Sequence, residues 1–167
     1  MKLKDKIKED LKKSQKERDE LKVSVLRLLL SSLLNKEKEK RYKVYQADNN
    51  IAEKELNDKS YLTDEEIMDV ISSEIKKRRE AVLEFEKGKR QDLAEKEKKE
   101  MEILKPYLPE QMPEEEIRKL VKDIISMVGA KEQKDMGRVM AQLMPKVKGK
   151  ADGSLISGIV KELLSGK

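Results

Sequence analysis

Neither cysteine nor histidine occurs among the 167 residues. Their absence removes disulfides, thiol nucleophiles, imidazole bases and the usual zinc ligands together, so any catalysis falls to Asp, Glu, Lys, Ser or Tyr. Tryptophan is also missing and aromatics make up 3% of the chain. The interior must therefore be built from Leu, Ile, Val and Met, and extensive stacking on single-stranded RNA is disfavoured, with Tyr107 the one expected platform. Long apolar runs are lacking too. VSVLRLLLSSLL is short for a bilayer span and is interrupted by Arg27, and MKLKDKIKED has no apolar signal core. No glycine-rich run leads into Gly-Lys-Ser/Thr, so no nucleotide cradle is expected. These absences predict a cytoplasmic protein with no metal, no cofactor and no membrane partner.

What is present is charge, at 44% of residues, with Lys and Arg exceeding Asp and Glu by 39 to 34. That excess permits nucleic-acid contact without making the chain uniformly basic, so local clusters matter more. No stretch alternates long enough for a sheet, which predicts an all-α protein. Leu3, Ile7 and Leu11 mark a first amphipathic helix. Leu21 to Leu34 mark a second, apolar around most of its circumference and expected at the centre. The polar run 42–62 breaks the pattern, with a weak helical candidate at 51–56. Thr63 and Glu66 form a capping-box signature opening a long helix that Gly88 ends. Leu93, Met101 and Leu104 give the next helix a narrow stripe, so it should lean on its predecessor as an exposed hairpin that Pro106 ends.

Arg27 and Arg78 both fall in apolar surroundings. Arg78 is expected to snorkel or meet a carboxylate, and Arg27 to make a buried contact with Glu74, Glu80 or Glu84, with a phosphate-facing Arg27 as the functional alternative. Pro106, Pro109 and Pro113 concentrate restricted backbone, so 106–113 is the expected junction between an N-terminal helical domain, 1–105, and a C-terminal three-helix domain, 114–167. In the latter, Glu114, Glu115 and Glu116 suit the positive end of a helix whose apolar face includes Ile117, Val121 and Ile124 and which Gly129 closes.

Within the C-terminal part, KDMGRVMAQLMPKVKGKADGSLISGIVKELL joins two helix patterns through a basic bend. Asp135 is placed to cap the first helix, and Pro145 is expected to stop it. Lys146, Lys148 and Lys150 then alternate along a loop, and Asp152 caps the second helix. With Lys134 and Arg138, these cations are the candidate phosphate contacts. A solvated lysine-rich turn has the same composition, so both readings stand. Gly149 and Gly153 suit a turn. Gly137 and Gly158, inside helices, predict close helix crossings. Met136, Met140 and Met144 recur at helical spacing and read as core.

This segment, with RREAVLEFEKGKRQDLAEKEKKEMEILKPYLPEQM before it, resembles the GatB/YqeY family, specifically its free-standing YqeY-like members. Their C-terminal domain is shared with the tail of the B subunit of tRNA-dependent amidotransferase. The resemblance implies a tRNA-associated accessory module, contacting tRNA or another folded RNA through shape and phosphate. A helical protein-interaction adaptor with a protein partner is the alternative. The family also links to carbon–nitrogen ligase activity with glutamine as amido donor. That chemistry needs a glutaminase nucleophile and ATP-dependent activation, and neither a Ser/Lys constellation nor a phosphate cradle is found, so no catalytic residue is assigned and catalysis by this chain alone is not expected.

Overall fold

The computed structural model describes residues 2–165, and among them it contains eight α-helices and no strand. The all-helical expectation holds. Two compact units divide the chain, one running to Tyr107 and the other starting at Leu108.

The first unit comprises α1 (Leu3–Glu17), α2 (Glu20–Ala47), α3 (Glu53–Ser60), α4 (Asp64–Lys87) and α5 (Gln91–Leu104), followed by a 3₁₀ turn, Lys105–Tyr107. Two neighbouring residues make the α1–α2 bend. Arg18 adopts left-handed torsions (φ 58°), and Asp19 accepts the Lys22 backbone N–H at 3.0 Å to cap α2. Helix α2 packs against α1, α3, α4 and α5. Its buried face is Val25, Leu26, Leu29 and Leu33, while Leu28 and Leu34 stand half-exposed. The apolar circumference read from the sequence is thus covered mainly on one side. The helix also runs on through Tyr42 to Ala47, with Val44 half-buried and α3 packed along α2. The short α3 then returns along it, burying Leu56 and Ser60.

Thr63 and Glu66 form the predicted capping box, with the Thr63 N–H donating to Glu66 Oε2 at 2.8 Å and the Glu66 N–H to Thr63 Oγ1 at 3.2 Å. Helix α4 ends at Gly88, and α5 folds back along it. Fully buried Ala94 and Leu104 anchor α5, which also meets α2, so it is more enclosed than the exposed hairpin expected.

Arg27 and Arg78 part company here. Arg78 is buried, and its guanidinium donates to Glu74 at 3.0 Å and to Glu100 at 3.2 Å, with Glu97 at 4.0 Å. Burial alone pushes the Glu74 carboxyl up, but hydrogen bonds from Lys77 and Arg78 outweigh it and hold the group below the usual carboxylate range. Arg27, expected to make such a buried contact, is exposed and has no carboxylate partner among the described residues. At 100° per residue it points away from the Val25–Leu29 face, so its apolar neighbours in sequence are not its neighbours in space. Tyr107 is corrected as well. It is 5% exposed, donates its hydroxyl to Asp10 at 2.7 Å and offers no stacking platform.

The second unit comprises α6 (Glu114–Val128), a 3₁₀ turn Gln133–Asp135, α7 (Met136–Val147) and α8 (Gly153–Leu164). Ile117, Val121 and Ile124 of α6 close on Val139 and Leu143 of α7 and on Ile156 and Val160 of α8. Met136 and Met140 pack against this core, whereas Met144 is 37% exposed and lies outside it. The expected helix crossings at Gly137 and Gly158 do not occur. Both residues face solvent, and a Cβ added at either meets nothing within 4 Å.

Two stability measurements follow from this packing. Arg78→Ala leaves Glu74 and Glu100 buried around a missing cation and should cost about 3 kcal/mol in denaturant unfolding. An effect below about 1 kcal/mol would show the cluster to be solvated. Gly137→Ala and Gly158→Ala should each raise stability by about 0.5–1 kcal/mol, since the added methyl has room and the helix propensity improves. Destabilisation by either would contradict the open space around it.

Candidate nucleic-acid interface

The basic joint is built at the far end of α7. Pro145 was expected to stop that helix but lies inside its last turn, and α7 continues to Val147. Proline forfeits only its own N–H, and the Lys148 N–H still reaches the Met144 carbonyl at 3.0 Å. Lys146 is consequently helical and does not lie on a loop. Val147 is fully buried and pins the bend between exposed Lys146 and half-buried Lys148. Gly149 takes left-handed torsions (φ 73°), and the Lys150 N–H donates to the Val147 carbonyl at 2.9 Å. Gly153 needs no such conformation, being the first residue of α8. Asp152 caps α8 as predicted, accepting the Ser154 N–H at 2.8 Å and the Leu155 N–H at 3.2 Å.

Residues before α6 brace the same bend. The Met112 N–H donates to the Lys150 carbonyl at 2.7 Å, and Gln111 Nε2 donates to the Gly149 carbonyl at 2.8 Å. The lysine backbone is thereby held at a fixed place on the three-helix core. Lys146 and Lys150 are exposed and form no ion pair with the described residues, whereas Lys148 is half-buried and engaged. From Met136 to Ala151 the sequence contains no Asp or Glu. The three lysines also lie at the negative end of the α7 dipole, which favours cations with or without a ligand.

Lys134 and Arg138 are at the opposite end of α7, separated from the joint by most of a helix about 18 Å long. Lys134 pairs with Glu132 at 2.9 Å. Arg138 pairs with Asp135 at 3.3 Å and donates to the Val128 carbonyl, satisfying a group left open where α6 ends. The five cations therefore form two groups, one free of neighbouring carboxylates at two of its members and one tied into the chain. Asp135 was expected to cap α7 but accepts no backbone N–H from it; its carboxylate turns back to accept the Lys131 N–H at 3.0 Å and the Glu132 N–H at 3.3 Å. Those two bonds, assisted by Arg138 and Lys134, hold its carboxyl below the usual range.

Sequence reasoning missed Arg118. Its guanidinium grips Glu162 of α8 through two bonds of 2.9 and 3.0 Å and bonds Glu114 at 2.8 Å. The i, i+4 spacing of Glu114 and Arg118 was a visible signal, but the Glu162 partner is 44 residues away. Hydrogen bonding from Arg118 holds the Glu162 carboxyl low. Among the described residues no cluster of carboxylates is arranged to hold a metal, and no helix is long and apolar enough to cross a membrane.

A helical chain whose C-terminal unit packs three short helices, the last two joined through this lysine bend, is the class that the fold defines. The model of the YqeY-like protein family matches residues 4–164, and the chain belongs to that family. Among curated proteins, it is 34% identical to "Altered inheritance of mitochondria protein 41, mitochondrial" of Pyrenophora tritici-repentis, over 65% of this chain and 61% of the relative. The proteins of the same name from Candida glabrata and Saccharomyces cerevisiae are 31% and 28% identical, over 62% and 93% of this chain and 48% and 80% of the relatives. The chain thus spans 61% and 48% of the first two. The expectation of a cytoplasmic location does not stand, because these relatives are named as mitochondrial proteins. Surface charge and missing apolar spans suit any aqueous compartment and do not choose among them.

Asp135 and Glu162 give the unit a pH dependence of definite sign. Folding lowers both carboxyl groups, so their contribution is complete above the ordinary carboxylate range and is lost as pH falls through and below it. Thermal midpoints followed by circular dichroism should decline on acidification below about pH 4.5. Glu162→Ala should flatten part of that decline; an unchanged slope would mean that the Arg118 grip is not made in solution.

Proposed function

We propose that this protein is an RNA-associated accessory module, non-catalytic by itself, whose C-terminal unit contacts the phosphate backbone of a folded RNA, with tRNA the class suggested by the resemblance to the amidotransferase tail. The observation that carries this reading is the pair of exposed, carboxylate-free ammonium groups of Lys146 and Lys150 on a backbone braced by Met112 and Gln111. A preset bend positions cations without the ordering cost of a free loop, which favours recognition of a fixed phosphate spacing. Lys148 lies between them and adds a third contact if its present partner is exchanged for phosphate. Lys134 and Arg138 join as a weaker second group, because each already neutralises a carboxylate.

Such binding is electrostatic and salt-dependent. Replacing Lys146, Lys148 and Lys150 together by Ala should weaken tRNA binding in anisotropy titrations and reduce the salt slope by about two to three. Lys134→Ala should have a smaller effect. Binding indifferent to the triple change would remove the joint from the interface. A protein partner captured after nuclease treatment, with no measurable tRNA affinity, would favour the adaptor function instead; half-exposed Met144 and Leu155 and the more exposed Met127 are the apolar groups available for it.

A further inference from the structure

Three of the four tyrosines are exposed, in a chain that has one phenylalanine and no tryptophan. Tyr42 is 62%, Tyr45 48% and Tyr61 61% exposed, which is unusual for the largest apolar groups available to an aromatic-poor interior. They gather on one part of the first unit. Tyr42 and Tyr45 stand three residues apart near the end of α2, and Tyr61 follows α3, which packs along α2.

The outer face of α2 leading to them is basic. Arg27, Leu34, Lys38, Arg41 and Tyr45 follow one another at spacings of seven, four, three and four residues, which places them on a single helical stripe. Between Arg27 and Tyr45 no acidic residue shares this stripe, but Glu20, seven residues before Arg27, continues it at the start of α2. Glu37 and Glu39 lie to its sides and are held by Lys4 at 2.6 Å and Lys36 at 3.2 Å. Arg27 and Lys38 are exposed and form no ion pair among the described residues, whereas Arg41 is half-buried and donates to Asn57 of α3, a bond that a phosphate would have to replace. Two hollows open along the stripe. One, of about 510 Å³, is bordered by Arg18, Ser24 and Arg27, with Glu20 the acidic group on its rim; the other, of about 180 Å³, is bordered by Leu34, Lys38, Arg41 and Tyr61, with Glu37 its acidic group.

We propose that this face of α2 and α3 binds unpaired RNA, with nucleobases stacking on Tyr42, Tyr45 and Tyr61 and phosphates tracking Arg27, Lys38 and Arg41. Aromatic faces accept any base, and cations without carboxylate partners fit a phosphate backbone better than an acidic or neutral protein surface does. Aromatic scarcity argues against stacking only while the few rings are taken to be core. Here the fold leaves them outside. The choice of RNA over DNA rests on the RNA reading given for the C-terminal unit, but the surface is a different one and selects single strands where the lysine joint selects a folded backbone.

The test uses the full chain, a fluorescein-labelled oligouridylate and a tRNA in parallel titrations. Tyr42→Ala and Tyr45→Ala should weaken oligouridylate binding about tenfold each, while Tyr42→Phe and Tyr45→Phe retain it. Arg27→Ala, Lys38→Ala and Arg41→Ala together should lower the oligouridylate salt slope by about two. The Lys146, Lys148 and Lys150 triple variant should leave oligouridylate binding intact. Circular dichroism checks that each variant folds. Absent oligouridylate binding, binding unmoved by the tyrosine substitutions, or binding lost with the joint lysines overturns the proposal. So does a tyrosine-dependent self-association in sedimentation without oligonucleotide affinity, which would make the face an interface between copies. If tRNA binding fails while tyrosine-dependent oligouridylate binding persists, the folded-RNA reading falls and this one stands.

Discussion

Each helix of this chain has one aliphatic stripe to bury and a charged remainder that water must keep. With aromatics at 3% and charged residues at 44%, the apolar material is enough for narrow seams between helices and for little more. The two cores are accordingly strips of Leu, Ile and Val, such as Leu26, Leu29 and Leu33 in the first unit and Val121, Leu143 and Val160 in the second. Because the seams are narrow, a polar group next to one is either solvated within a turn or must find a counter-charge inside. Arg78 meets the second condition, with three carboxylates around its guanidinium. Arg27 meets the first, although its sequence neighbours are the more apolar.

The same economy shapes the C-terminal unit. Three short helices offer little surface for mutual burial, and polar contacts at their ends supplement the seam. Arg118 ties α6 to α8. Arg138 closes the end of α6, and Asp152 opens α8. Backbone bonds from Met112 and side-chain bonds from Gln111 then fix the bend after α7. Cations already employed in this way are poor candidates for an external ligand, since a phosphate must compete with a partner in place. That distinction separates Lys146 and Lys150 from Lys134 and Arg138, which composition alone treats alike.

Two different surfaces suit two different parts of an RNA. A braced bend with point charges suits a folded backbone, where rings have no access to paired bases. Exposed tyrosines beside a cationic stripe suit nucleotides that are already unstacked. The YqeY-like family membership is compatible with both surfaces and assigns neither.

Much of the helical plan was legible in residues 63–164. Capping residues such as Thr63, Glu66 and Asp152, and glycine stops at Gly88 and Gly129, act within a turn or two, so local sequence determined where those helices begin and end. Pro145 misled because a proline near a helix end loses only one bond, and 42–47 misled because α3, which packs along α2, comes later in the chain. What only the tertiary structure decided is which side of each helix is covered. That choice buried Arg78 and Tyr107, exposed Arg27 and Tyr45, and left Gly137 and Gly158 facing open solvent. Burial depends on partners tens of residues away, whereas capping and helix propensity depend on neighbours along the chain.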